Sequence, residues 1–525
     1  MQLLMCSIPL MLRRTGNTVR AGYVLFGLLM CLATLLTSAC SGERTESSTS
    51  STTAQPNIIF ILADDLDYAS AQKMPTLNSE LIEKGTSFEN SFISHPVCCP
   101  SRTTILTGLY DHNHDVRSNN PPDGGFQKFV SEGLEKNTIA TRLQQGGYNT
   151  VLFGKYLNGY PGNEDPSYVP SGWDEWYGKL DGQKLYNYRI NENGEAVSYG
   201  NDTADFFTDV LSGEVTDFVR RASSGSKPFF MYVAPTAPHG PATPAERHKG
   251  AFADEEIPHP PSFDEEDVSD KPSFVRNLSR FSDDEASTID DYYRQRLESM
   301  LAVDDMVASL IQELEASDNF DNTFIFFTSD NGFEQGEHRI PKGKNRPYEE
   351  SAHVPLFVRG PGVPANAKTQ KLAVNTDYAP TFADLAGVSF PADGRSLRPL
   401  LDGDEEASWR SAILLEKLPI EASNDDEATN DEDNGKAKGK AKGKAKGKAG
   451  GGGRQGAFGA IRTETYKYVE YSDGEQELYD LKADPYELDS LHESGDSSLT
   501  EDLKTRLHAL ESCSNKGCKE AEDAS

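Results

Sequence analysis

Residues 91–108 read SFISHPVCCPSRTTILTG, with two adjacent cysteines directly ahead of Pro100, Ser101 and Arg102. The whole chain of 525 residues has seven cysteines, so the pairing asks for a reason. Pro100 suits the first turn of a helix, and SRTTILTGLY can continue it. Residue 98 then lies at a helix N-terminus, where unpaired N–H groups and the dipole favour an anion. Arg102, one turn on, can point back to the same place. The pattern predicts a nucleophile poised at an anion site. A working Cys98 thiolate would make the protein a cysteine-dependent hydrolase, with His239 or His112 as its basic partner. Two plainer readings stand beside it. Cys98 and Cys99 could be buried free thiols packing as small hydrophobes. Zinc ligation is disfavoured, because no second Cys/His pair sits at zinc spacing. A bridge between the two neighbours would be strained.

A second chemistry is carried by carboxylates. Asp64, Asp65 and Asp67 follow the apolar run NIIFILA at 57–63, and Asp330, Asn331 and Gly332 follow TFIFFT at 323–328. Continuous β-branched and apolar runs read as strands buried on both faces, as in a parallel sheet. Such sheets bind ligands at the carboxyl ends of their strands, so both clusters are expected on one edge. Carboxylates gathered there repel one another unless a cation sits among them. Oxygen donors without imidazole or thiolate suit Ca²⁺ or Mg²⁺. Either cluster alone reads as a strand-end turn; their company with CCPSR favours a site.

The elements that must position these groups follow from periodicity. Further strands are expected over 228–234 and 354–359. In 294–316 Leu297, Met300, Leu301, Val307, Leu310, Ile311 and Leu314 recur at helical spacing, ahead of the second acidic strand. Alternating strands and helices indicate an α/β fold. After residue 456, AIRTETYKYVEY and QELYDLKADPYELDSL alternate like a hairpin and end in a turn and helix. Residues 396–520 are read as a small C-terminal subdomain, and 57–395 as the main domain. Between 421 and 456 an acidic stretch and a lysine-glycine repeat form an insertion too polar to join a core. Its lysines could hold polyanionic glycan, which is the weaker reading.

The net charge of −32 excludes general nucleic-acid binding, which needs a basic footprint. It also means that an anionic substrate must be won locally, by clustered cations. Residues 21–39 are apolar, follow Arg13, Arg14 and Arg20, and end in small residues before Cys40. This reads as an export signal over 1–39, with a membrane anchor as the alternative. LLTSAC resembles a lipoprotein signal, which would lipidate Cys40. Residues 40–56 are a Ser/Thr-rich linker. The protein is expected outside the cytoplasm, periplasmic or at the cell surface if lipid-anchored, otherwise secreted. Cys513 and Cys518 can close a small disulfide loop, which suits an exported protein.

Cys98-Cys99-Pro100-Ser101-Arg102 followed by Leu106-Thr107-Gly108 resembles the C-x-P-S-R-x-x-x-x-T-G signature of the sulfatase family. The resemblance runs from about residue 57 to 520. It implies an alkaline-phosphatase-like fold: a large mixed sheet sandwiched by helices, plus a small C-terminal domain with an antiparallel sheet. It implies that Cys98 is converted to formylglycine by a formylglycine-generating enzyme, and that Asp64, Asp65, Asp330 and Asn331, with residue 98, hold calcium (magnesium being the alternative). GKY at 154–156 resembles the segment of an active-site lysine, giving Lys155. APTAPHGP at 234–241 gives His239, and KNRPYEES at 344–351 gives Lys344. Arg102, Lys155 and Lys344 would then carry the charge of the sulfate oxygens, with His239 or Lys344 protonating the leaving oxygen. GKYLNGY, LAVDDMVASLIQELE and LESCSNKGC look like the N-acetylglucosamine-6-sulfatase branch, implying a 6-O-sulfated glycan substrate, with aryl sulfate esters as a wider class. Many arylsulfatases place a histidine two residues after the first lysine; here Leu157 and then Asn158 stand there. His112 and His114 are the candidates to replace it, and Asn119 and Asn120 the candidates to line a sugar pocket. The competing readings are a phosphomonoester or phosphonate hydrolase of the same fold, and a non-catalytic glycan-binding lipoprotein.

Overall fold

The structure is a computed structural model that describes residues 55–421 and 455–524. The segment read as an export signal, most of the expected linker and most of the 421–456 insertion therefore lie outside the described residues.

The apolar runs become the middle of a ten-stranded sheet. β1 (Asn57–Ala63), β2 (Asn149–Gly154), β3 (Glu175–Lys179), β4 (Phe229–Ala234) and β5 (Thr323–Ser329) are its parallel strands. They lie in the spatial order β5-β1-β4-β2-β3. β6 (Leu356–Arg359) runs antiparallel beside β5, making the sheet mixed. Every residue of β1, β4 and β5 is buried, because helices cover both faces. One covering helix, α3 (Asp283–Ala316), packs on α2 (Phe207–Ala222). A Ser282–Glu285 capping box starts α3 and satisfies two free N–H groups, and Asp283 and Asp284 lie in its first turn, where the helix dipole favours negative charge. Its buried stripe is Leu297, Met300, Val303, Val307, Leu310 and Leu314.

Register decides where the chemistry goes. Ala63 pairs with Ser329, so the residues after β1 and β5 emerge side by side. Gly154 pairs with both Ala234 and Gly178, so Lys155, Pro235 and Lys179 leave the same edge. Gly154 has φ +102°, and a Cβ there would stand 2.1 Å from the Ala234 carbonyl oxygen. Only glycine lets β2 turn into Lys155 this close to β4.

The C-terminal sheet has four antiparallel strands: β7 (Ala412–Lys417), β8 (Phe458–Thr463), β9 (Tyr466–Tyr471) and β10 (Gln476–Asp480). One face carries α4 (Ser497–Glu511), the other shares a core with Phe92, Tyr348 and Val374 of the main domain. Arg410 clamps the two parts, donating to both Asp377 oxygens at 2.7 and 2.6 Å and lying 3.1 Å from Glu522. Cys513 and Cys518 form the expected disulfide, and Cys98 and Cys99 are free and buried.

Candidate active site

α1 spans Cys98–Thr107, with extended Val97 as its N-cap and Gly108, in the left-handed region, as its C-cap. Every one of its residues is buried, and Cys98 stands at its first position as the sequence predicts. The Cys99 N–H is taken by Asn119 Oδ1 at 2.7 Å. Asn119 thus caps α1, a role not anticipated for it. Cys99 itself packs in a core cluster with Ile105 and Leu106, and burial pushes its thiol up to about 12.

Around Cys98 the edge of the sheet closes in. Its Sγ lies 3.6 Å from Asp64 Oδ1 and accepts from Lys344 Nζ at 3.1 Å. Lys344 also donates to Asp65 Oδ1 at 2.6 Å, and Lys155 donates to Asp64 Oδ2 at 2.7 Å. Arg102 reaches across to Asp330 Oδ2 with Nε at 2.7 Å and to the Lys155 carbonyl with Nη1 at 2.9 Å. Asn331 Nδ2 donates to Asp65 Oδ1 at 2.7 Å, and the Asp65 N–H to Asp330 Oδ1 at 3.1 Å. His239 sits at the rim, its Nε2 3.7 Å from Asp65 Oδ2 and its Nδ1 2.8 Å from the Gly240 carbonyl oxygen. All eight residues named from the sequence for this site therefore converge with Cys98 on one point, from six separate segments.

The electrostatics follow from burial. Desolvation alone would raise the Asp64 and Asp65 carboxyls. Lys155, His239 and Arg102 outweigh it at Asp64, and Lys344 and His239 at Asp65, so both are held below the usual carboxylate range. Burial pushes the Cys98 thiol far up, against the pull of Lys155 and Lys344. An unmodified Cys98 would be a neutral thiol and a poor nucleophile.

The donor set fits a hard divalent cation. Asp65 Oδ2, Asn331 Oδ1 and Arg102 Nη2 are buried without a hydrogen-bond partner, a costly state that a ligand would relieve. Asp64, Asp65, Cys98 and His239 offer atoms all within 4.8 Å of one another. Three carboxylates face three cationic side chains here, so a divalent cation would turn a balanced site into one that attracts an anion.

Two sequence expectations fail. His112 lies between Glu416, at 2.9 Å, and the Cys513 carbonyl, at 2.9 Å; His114 lies between Thr104 at 3.0 Å and Asp111 at 3.2 Å. Both brace the segment after α1, and neither reaches Cys98. Glu416 on β7 captures His112, a pairing that local sequence does not reveal, whereas Asp111 takes His114 three residues along the same short helix. Asn120 is half-buried, and its carbonyl accepts from Ser118 Oγ at 2.8 Å.

Other residues were not foreseen. Arg296 is buried on α3, stacks 4.2 Å over Phe333, and donates to the carbonyls of Asp65 and Pro238. It holds Asp65 in a left-handed conformation, φ 66°, a strained state that surrounding structure must enforce. Its spacing from Leu297, Met300 and Val303 put it near the apolar stripe, a signal that could have found it. Glu334 and Arg346 pair at 2.6 Å, and Arg346 also donates to the Lys344 carbonyl, fixing that lysine's backbone. Gln183, from the loop after β3, donates to Asp64 Oδ2 at 3.3 Å.

Comparison with known proteins bears on this geometry. The Sulfatase family pattern matches residues 56–388. The N-acetylglucosamine-6-sulfatase of Capra hircus is 33% identical over 480 residues, covering 89% of this chain and 85% of that protein. A solved structure of a protein in complex with its substrate, D-glucosamine-2-N,6-O-disulfate, superposes with a TM-score of 0.68 at 24% identity, covering 89% of this chain and 99% of that one. The phosphonate monoester hydrolase of Silicibacter pomeroyi shares the fold at TM-score 0.64 and 23% identity, over 86% and 93% of the two chains. With the signature helix, the carboxylate edge and the family match all falling on the same residues, the chain belongs to the sulfatase family and is a sulfuric ester hydrolase.

Proposed function

We propose that the protein hydrolyses the 6-O-sulfate of N-acetylglucosamine in sulfated glycans, using a formylglycine made from Cys98 and a bound calcium ion. The observation that carries this reading is Cys98 itself. It is buried at a helix N-terminus between Asp64 and Lys344, with Arg102 one turn on. A thiol there is held neutral, whereas an aldehyde hydrate would supply a nucleophilic oxygen and a second hydroxyl for releasing sulfate. Asp64, Asp65, Asp330 and Asn331 would hold the cation, which supplies charge that acidifies a neighbouring hydroxyl.

The chain's own residues do the rest. Lys344, 3.1 Å from Cys98 Sγ, and Lys155, on Asp64, can carry two sulfate oxygens. Arg102 Nη2 makes no hydrogen bond and lies 4.0 Å from Asp64 Oδ1, while Nε and Nη1 are anchored, so one donor of a fixed fork is left for the ester. His239 is the general acid. Its Nδ1–H donates to the Gly240 carbonyl, and it is the more solvent-facing group, where the glycan must leave. The glucosamine 6-sulfate assignment rests on the likeness to the Capra hircus enzyme. Export and lipidation at Cys40 belong to the same proposal and are tested by acyl labelling of a Cys40→Ala variant.

The deciding experiment is mass analysis of the peptide holding residues 98–102 from active protein, together with turnover of N-acetylglucosamine-6-sulfate. Aldehyde oxygen in place of sulfur, with release of sulfate, is the expected result. Active protein with an intact thiol overturns the formylglycine reading. Faster turnover of aryl phosphonates than of any sulfate ester would move the assignment to phosphonate hydrolysis.

A further inference from the structure

The loop between β3 and the strand Arg189–Glu192 carries one polar side chain into the site. Gln183 Nε2 donates to Asp64 Oδ2, the oxygen that also receives Lys155. The carboxylate fixes the amide's orientation, because the reverse flip would set two oxygens against each other. Gln183 Oε1 is then left buried with no hydrogen-bond partner. Asp65, Arg102 and Asn331 also carry buried atoms without a hydrogen-bond partner. Buried polar atoms without partners are rare, and one on a side chain that is itself bonded to Asp64 marks where a ligand can complete the network.

The loop is built to hold that residue. Lys179, the last residue of β3, is buried, and its Nζ donates back to the Lys184 carbonyl, just past Gln183. The Lys179 Nζ sits 3.5 Å from the Phe207 ring centroid and 5.0 Å from that of Tyr188. Aromatic faces and one carbonyl thus clasp the loop at its two ends. Gln183 is half-buried and its neighbours Gly182 and Lys184 are exposed, so the residue comes from the solvent side of the pocket, unlike Asn331 at its fully buried floor.

We propose that Gln183 is a specificity-determining residue that reads the sugar beside the sulfate. Its carboxamide accepts from a hydroxyl or acetamido N–H of the glycan, and Lys179 positions it. This rests on the sulfatase reading above and names the part of the site that separates sugar sulfates from aryl sulfates, which offer no such donor. The test uses Gln183→Ala and Lys179→Met in the formylglycine-bearing protein, with the mass of residue 98 checked in each. Turnover of N-acetylglucosamine-6-sulfate and of 4-nitrophenyl sulfate is compared. A single neutral hydrogen bond predicts that kcat/KM falls roughly 5- to 10-fold further on the sugar sulfate than on the aryl sulfate. Calorimetric binding of N-acetylglucosamine-6-sulfate to Cys98→Ala, with and without Gln183→Ala, should weaken by a similar factor. Equal losses on both esters with unchanged sugar binding would mean that Gln183 acts only on Asp64, and overturn the proposal. A wild-type protein that hydrolyses neither ester overturns the proposed function and this inference with it.

Discussion

Arg102→Lys keeps the positive charge of the site and destroys its geometry. The guanidinium makes two anchoring contacts in different directions, to Asp330 Oδ2 at 2.7 Å and to the Lys155 carbonyl at 2.9 Å, and leaves Nη2 for the ester. A single ammonium on a more flexible stem cannot serve all three. Loss of one anchoring bond to a charged group costs about 1.5–3 kcal/mol of stability. Loss of a preorganised donor on the developing charge costs about 2.7–4 kcal/mol of transition-state stabilisation, or 10²–10³ in kcat. We expect kcat/KM on 4-nitrophenyl sulfate to fall by about 10²–10³ with a lowered melting temperature. Arg102 lies inside the signature that the proposed conversion of Cys98 would read, so rates must be normalised to the fraction of residue 98 carrying aldehyde. A fully converted Arg102→Lys enzyme within ten-fold of wild type would refute the argument, because charge alone would then suffice.

Three further outcomes follow from the same structure. Chelation should lower the melting temperature, and Ca²⁺ should restore it, by an amount that reaches about 2.7 kcal/mol at a hundred times Kd; identical melts with and without chelator would remove the cation from Asp64, Asp65, Asp330 and Asn331. Burial lowers the pKa of His112, but the hydrogen bond to Glu416 more than offsets it and raises the ring to about 9. The folded value lies above the ordinary 6.5, so the stabilisation is full below pH 6.5 and is lost as pH rises through about 9. His112→Gln should therefore flatten the fall in melting temperature over that window while keeping turnover; a loss of turnover in folded protein would return His112 to the catalytic set. Arg410→Met strands Asp377 without its cation, at a cost of about 3–5 kcal/mol read from the urea midpoint, while Glu522 keeps Arg395 at 3.0 Å; an unchanged midpoint would mean that the Arg410 clamp contributes nothing net.

The sequence by itself determined the frame. Apart from Asn57, Thr323 and Thr328, NIIFILA and TFIFFT are apolar, so they read as buried parallel strands whose following acids share an edge. CCPSR suits the start of a helix, and Cys513 and Cys518 can close a small loop. These features are local: each depends on residues within one element. What only the tertiary structure decided depends on side chains meeting across long stretches of chain. Gln183 meets Asp64 across 119 residues, Arg296 meets Asp65 across 231, and His112 is taken by Glu416 across 304. A glutamine in a loop has no period and no fixed partner, so nothing near it in the chain marks it. His112 looked available because its carboxylate partner, Glu416 of the C-terminal sheet, is assigned by packing; the partner of His114, Asp111, stands three residues earlier and was open to a local reading. Local pattern fixes which elements form and which end of the sheet is chemical; only the packed chain fixes which polar groups are left over to do the chemistry.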